Sequence, residues 1–251
     1  MLGKLIGRNR WSWSAFGKHP AARDYFQINL TSSLAVALSK WVEIGFQKVS
    51  EDQRRTRACS WRFWARGLKK GHLLCGLGRS SSDSIGRPYP MVVMGEGGMP
   101  RWQDHWHLLP LGFGTLWERM EQLATRRMVN LSQLEKAIAD LAAPSENWRQ
   151  IQRRNREIGA PDDADPAHEA ILTSVGEYVR VLGTEGCLMI ALNENLRGDP
   201  LQLAGAWHQA IRNQSVGRPN MVFMGGTTEK VFLALFYRPL TSEDFHRLWT
   251  V

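Results

Sequence analysis

Short runs with the two-residue alternation of β-strands fall into two groups, separated by a long stretch of three- and four-residue periodicity. Trp11, Trp13 and Ala15 alternate with serines up to Phe16, ahead of the turn-like Gly17, Lys18, His19, Pro20. Ser60 to Ala65, His72 to Gly78 and Tyr89 to Gly95 complete the first group. Cys187 to Leu192, Met221 to Gly225 and Val231 to Tyr237 make the second. Neither group is large enough to bury both of its faces alone. They are therefore expected to share one sheet with helices packed over it, an α/β sandwich forming a single domain over residues 1–251. The hairpin-like spacing of the last two strands makes that sheet mixed in direction rather than wholly parallel.

The helical segments are read from their apolar stripes. Leu34, Leu38, Trp41, Val42, Gly45 and Val49 define a first helix, with Thr31 or Ser32 as its cap. Phe113 to Leu123 and Leu131 to Leu141 carry two more stripes in the middle of the chain. Ser145 is positioned to cap a basic helix with Trp148, Ile151 and Ile158 on its apolar side and Arg149, Arg153, Arg154 and Arg156 mainly outside it. An acidic loop at 159–166 follows, then a helix through Leu182. Asp199 and Pro200 start another helix, and a last one begins at Thr241.

A chain of 251 residues, 43% hydrophobic, can bury a sizeable core without disulfides. Cys59, Cys75 and Cys187 are odd in number and sit among apolar neighbours, which suits buried reduced thiols. No apolar run approaches the roughly 20 residues of a membrane span, and no signal-like segment follows Met1, so a cytoplasmic location is expected.

The net charge of +8 is unevenly distributed: residues 1–130 carry +11 and residues 131–251 carry −3. Arg54, Arg55 and Arg57, then Arg62 and Arg66, then Lys69 and Lys70 surround Trp61, Phe63 and Trp64. Basic residues interleaved with aromatics can bind phosphates and stack on bases. The same alternation is how a half-buried strand looks, with Arg62, Trp64 and Arg66 on its wet face, and this plainer reading is preferred.

Catalytic signatures are absent: there is no phosphate-binding G-x-x-x-x-G-K-[ST], no H-E-x-x-H and no G-x-S-x-G. Gly76-Leu77-Gly78 lacks the third glycine and the helix of a dinucleotide loop. His105 and His107 have no third or fourth metal ligand spaced nearby. The densest polar cluster is Ser80 to Ser84 with Gly86 and Arg87. Asp83 there can orient a serine or a water for hydrolysis, given a base in reach. The preferred alternative makes Asp83 the centre of an Asx-type turn, with Gly86 at positive φ and Arg87 paired to Asp83 four residues earlier. Residues 85–95 also resemble 216–225 with one residue deleted, both reading as loop, arginine, proline, strand; recurrence of a common strand start explains this.

The order of these pieces resembles the TagF family, also called ImpM, of type VI secretion accessory proteins. Gly17, Lys18 and Pro20 with Asp24, then Trp61, Arg62 and Phe63, then Asp83, Gly86, Arg87 and Pro90 carry the resemblance. Pro219 to Tyr237 and the helix with Phe245 continue it more faintly. Arg23 stands where the family pattern has a glycine, and Cys187 to Ile190 where it has a tryptophan-rich strand. The resemblance implies a cytoplasmic three-layer α/β/α protein without catalytic activity or cofactor, which restrains a type VI secretion apparatus after translation by binding a forkhead-associated scaffold protein. The exposed basic set Arg54, Arg55, Arg57, Lys69 and Lys70 is the expected contact surface, since a basic half can steer docking onto an acidic partner. A nucleic-acid-binding module using the same arginines, and a hydrolase built on the Ser80–Asp83 loop, are the rival readings.

Overall fold

The computed structural model describes residues 11–157, 166–192 and 199–251. Its strands are β1 (Ser12–Gly17), β2 (Phe26–Ile28), β3 (Ser60–Arg66), β4 (His72–Arg79), β5 (Met91–Gly98), β6 (Cys187–Ala191), β7 (Met221–Gly226) and β8 (Val231–Phe236). All eight lie in one sheet, in the order β2-β1-β5-β4-β3-β7-β8-β6, and the two sequence groups meet where β3 pairs with β7. The chain is α/β, but every described pairing is antiparallel, so the sheet is not the mixed one expected. The connection from β6 to β7 does join strands of like direction. The slot between them is filled by β8, which runs the opposite way, and β1, β5 and β4 separate β2 from β3 in the same manner.

Helices cover both faces. On one lie α1 (Ser33–Gln47) and α8 (Ser242–Trp249), packed over Phe16, Trp61, Phe63, Phe223 and Phe236. On the other lie α3 (Leu109–Thr125), α4 (Leu131–Ala139), α5 (Trp148–Glu157), α6 (Pro166–Glu185) and α7 (Pro200–Asn213), over Trp13, Trp64, Leu77, Val93 and Met224. Ser32 caps α1 by accepting the Ala35 N–H at 3.1 Å, and α1 then turns Ala35, Leu38, Val42 and Phe46 toward the sheet. Gly45 lets α8 approach: a Cβ there would stand 2.3 Å from the Phe245 Cβ. A capping box between Thr241 and Asp244 starts α8, and Arg238 clamps the same Asp244 carboxylate at 2.7 and 2.8 Å.

Several local expectations are revised. Asn147, not Ser145, caps α5, accepting the Gln150 N–H at 3.1 Å, while the Ser145 hydroxyl accepts from Asn147 itself. Ile158 and the acidic stretch 159–165 lie outside the described residues; Pro166 opens α6. The arginines at 54 and 55 sit on an unexpected short helix, α2 (Glu51–Thr56), nucleated by a capping box between Ser50 and Gln53. The face of β3 bearing Arg62, Trp64 and Arg66 is not wet throughout. Trp64 is 1% exposed, roofed by Trp102, Trp106 and His208. Ten of the eleven tryptophans are buried, so they build the two cores rather than an outer surface.

Candidate functional site

The residues singled out from the sequence gather at one end of the sheet. The register sets Gly17 opposite Met91, Met91 opposite Arg79, Arg79 opposite Ser60, Ser60 opposite Gly226 and Gly226 opposite Val231. The loops leaving this row carry Lys18, Asp24, Asp83 and Arg87. Gly17 makes their meeting possible: its φ is +118°, and a Cβ would lie 1.9 Å from the Pro90 carbonyl oxygen. With glycine there, the loop after β1 passes directly against the loop before β5.

Asp83 is the hub of that meeting. One carboxylate oxygen accepts the backbone N–H groups of Ile85 at 3.2 Å and Arg87 at 2.9 Å, forming the turn that Gly86 completes at φ +82°. The other accepts Arg87 Nε at 2.7 Å and lies 3.0 Å from Lys18 Nζ. Arg87 also reaches Asp24 at 3.1 Å and the Arg23 carbonyl at 2.9 Å, while Lys18 lies 4.0 Å from Asp24. Two cations and two carboxylates thus knit residues 18–24 to 83–87. Burial alone would raise the Asp83 carboxyl; the hydrogen bonds from Arg87, Lys18 and Ile85 outweigh it and hold the group well below the usual carboxylate range. Asp24 is held low chiefly by the Tyr25 N–H, with Arg87 and Lys18 adding to it.

This geometry braces a loop. Both Asp83 oxygens are filled by donors of the turn and by fixed cations, which leaves none to orient a serine or water for attack. His72 begins β4, whereas Asp83 lies beyond its far end. His19 is nearer in sequence but is 1% exposed, with Nδ1 accepting the Ala21 N–H at 3.1 Å; burial lowers its pKa against a hydrogen bond to the Arg126 backbone.

The expected contact set does not form one patch. Arg54, Arg55 and Arg57 precede β3 and belong to the same sheet end as Asp83. Lys69 and Lys70 follow β3 and lie at the opposite end, roughly 20 Å away for a strand of this length. Arg54 donates to the Gln47 carbonyl at 2.9 Å and lies over the Phe46 ring, Arg55 pairs with Glu51 at 2.8 Å, and Arg57 donates to the Val251 carbonyl. Phe46 packs on Tyr89 and Tyr89 on Tyr25, so aromatic contacts link Arg54 to the Asp83 hub. Trp61, Phe63 and Trp64 are 1–3% exposed and offer no face to a base. Of the two similar strand starts, Arg87 pairs with Asp83, whereas Arg218 reaches the Gln103 carbonyl at 3.3 Å.

The remaining sequence candidates are engaged elsewhere. His105 stacks on Trp148, and His107, its pKa lowered to about 4 by burial and by Arg212, faces that guanidinium at 2.9 Å. Among the described residues no group of three or more histidine, cysteine or acidic side chains is placed to hold a metal. Cys59, Cys75 and Cys187 are free and buried, and burial pushes Cys59 up to about 11. The sequence reading missed Arg79 and Glu121, an ion pair at this sheet end that also takes the Ser60 hydroxyl at 2.9 Å. The pair spans 42 positions, a separation at which no local pattern marks a partner.

A family model, TagF N-terminal domain, type VI secretion system-associated, matches residues 14–143 and so takes in most of β1, all of β2 to β5 and the whole Asp83 hub. The chain belongs to the TagF family. It is therefore a type VI secretion-associated protein. No curated protein matches it. Among solved structures, the crystal structure of PA0076 from Pseudomonas aeruginosa PAO1 is similar at a TM-score of 0.54, with 19% identity over 95% of this chain and 94% of that one, which shows a shared fold over nearly the whole of both chains. No helix among the described residues is long and apolar enough to cross a membrane.

Proposed function

We propose that this TagF protein is a non-enzymatic cytoplasmic regulator that restrains type VI secretion after translation by binding a forkhead-associated scaffold protein of the same system. The observation that carries the reading is the family match over the half of the chain that holds the excess positive charge, with Arg54, Arg55, Arg57, Arg79 and Arg87 at one sheet end. Such a regulator must bind the inactive scaffold more tightly than the active one, and about 3 kcal/mol of difference moves the population more than a hundredfold. Arg54 and Arg57 on one side, with the exposed Tyr25 and Ile85 on the other, supply a basic rim and apolar anchors for an acidic partner surface.

Purified protein and the scaffold encoded with it should bind saturably, more weakly as salt is raised. Reversal of Arg54, Arg55 and Arg57 to glutamate should slow association at least tenfold, whereas reversal of Lys69 and Lys70, at the other sheet end, should leave it within about twofold. Absence of binding in the unmodified protein rejects the partner. Equal loss from both reversals rejects the docking surface.

A further inference from the structure

Arg62 belongs to the motif that carries the family resemblance, yet it takes no part in the Asp83 hub. Among the described residues four arginines are half-buried: 54, 62, 79 and 238. Arg54 has the Gln47 carbonyl and the Phe46 ring, Arg79 has Glu121 and Arg238 has Asp244. The Arg62 side chain makes no ion pair or hydrogen bond with any described residue. Its nitrogens are not among the buried unpartnered atoms, so the guanidinium stays open to solvent and available to an incoming anion.

Arg62 lines a pocket of about 360 Å³ between the start of β3, the ends of β4 and β7, the β7–β8 turn, α3 and the start of α7. Its floor is apolar, built by Met224, Val231 and Pro200. Among the described residues that line it the only acid is Glu121, whose two oxygens are already taken by Arg79 and by the Ser60 hydroxyl. Among the described residues Arg62 is thus the pocket's charge without a counter-ion, and Thr228 brings a hydroxyl to the lining. The wall opposite is shaped by Gly225 and Gly226 at φ +150° and +140°; a Cβ on the first would fall 2.0 Å from the Ser60 carbonyl and on the second 2.3 Å from the Lys230 carbonyl. Only glycine lets the turn fold against β3 at this spot.

We propose that this pocket is a binding site for a small oxyanion-bearing molecule, a carboxylate or a phosphate ester, held by the planar fork of Arg62 with its apolar part on Met224 and Val231. A guanidinium offers two parallel N–H donors to either oxyanion, and a partly enclosed, low-dielectric wall strengthens that contact relative to open water. The site lies outside the Asp83 brace and does not depend on the partner proposed above.

The full chain would be titrated by calorimetry with inorganic phosphate, phenyl phosphate and benzoate at constant ionic strength, alongside Arg62→Met and, as a control, Arg66→Met on the exposed part of the same strand. Saturable binding of at least one probe is expected, stronger for the phenyl compounds than for phosphate, reduced at least tenfold in R62M and within about twofold in R66M. Preference between phenyl phosphate and benzoate distinguishes the two ligand sources. Without ligand, R62M should melt at or above the unmodified protein, because it removes a charge that nothing in the fold uses. Equal binding in R62M, binding of no probe, or a clear fall in the melting temperature of ligand-free R62M would each overturn the proposal.

Discussion

Arg87 and Arg62 stand at the same end of the same sheet, with only β4 between the strands they serve, and they are treated in opposite ways. Arg87 touches two carboxylates and a carbonyl, and its neighbour Lys18 shares the same acids. Arg62 is less exposed than Arg87 but has no counter-charge among the described residues. The hub is closed upon itself, with donors and acceptors matched and nothing left over for a visitor. The pocket is open in the chemical sense: among the described residues that line it, the one acid is neutralised from within and Arg62 has no counter-charge. A cation's burial therefore says little about its role until its acceptors have been counted.

Removing the hub's centre should have the largest effect. Asp83→Ala strips Lys18 and Arg87 of their shared acceptor and orphans the N–H groups of Ile85 and Arg87, so the melting temperature should fall by roughly 10 °C. A fall of only a degree or two would mean that the loops are held by their backbones alone.

Acid offers a second way to separate the hub from the rest of the fold. The Asp83 carboxyl is held below its unfolded range, so its contribution persists above about pH 4 and is lost only as pH drops through the lower folded value. His208 loses stability in the same direction but at higher pH. It is fully buried, with Nδ1 at the Ala204 carbonyl and the rings of Trp64 and Trp106 against it, and burial lowers its pKa to about 4. Between that value and about 6.5 the unfolded chain binds a proton that the folded chain refuses, so stability should drop by ~3 kcal/mol from this residue as pH falls across the window. Denaturant unfolding at several pH values should show the slope, with His208→Leu removing a large share of it; an unchanged slope would put the acid sensitivity elsewhere, His107 being next in line. The smallest effect is expected from Arg87→Lys, which keeps the charge and loses the fork, lowering the melting temperature by roughly 3 °C. A loss as large as that of the Asp83 variant would show that geometry outweighs charge in the hub.

What could be read beforehand follows sequence distance. The Asp83–Arg87 pair and the Gly86 turn are contained within five residues, where turn chemistry is written locally. The major strands were visible because apolar alternation needs only its own segment. β2 is three residues long and was missed, and α2, with no buried residue, offers no apolar stripe to detect. Strand direction was misjudged because the pattern within β6, β7 and β8 does not say which strand occupies the slot between two others. Arg62 was noted as basic, but its lack of a partner depends on Glu121, Gly225 and Gly226, each far away in the chain.

The last helix to be described, α8, has a bearing on how this chain is made. Phe245, Leu248 and Trp249 close the face of β3, and the indole N–H of Trp61 donates to the Leu248 carbonyl 187 positions later. Synthesis runs from the amino end at about 5–20 residues per second, so every strand leaves the ribosome before the helix that seals them. For roughly ten seconds or more after β3 emerges, Trp61, Phe63 and later Phe223 have no cover from α8. A newborn chain thus passes through an interval in which its sheet presents a greasy face to the cytosol, when capture by a chaperone competes with sticking to another nascent copy.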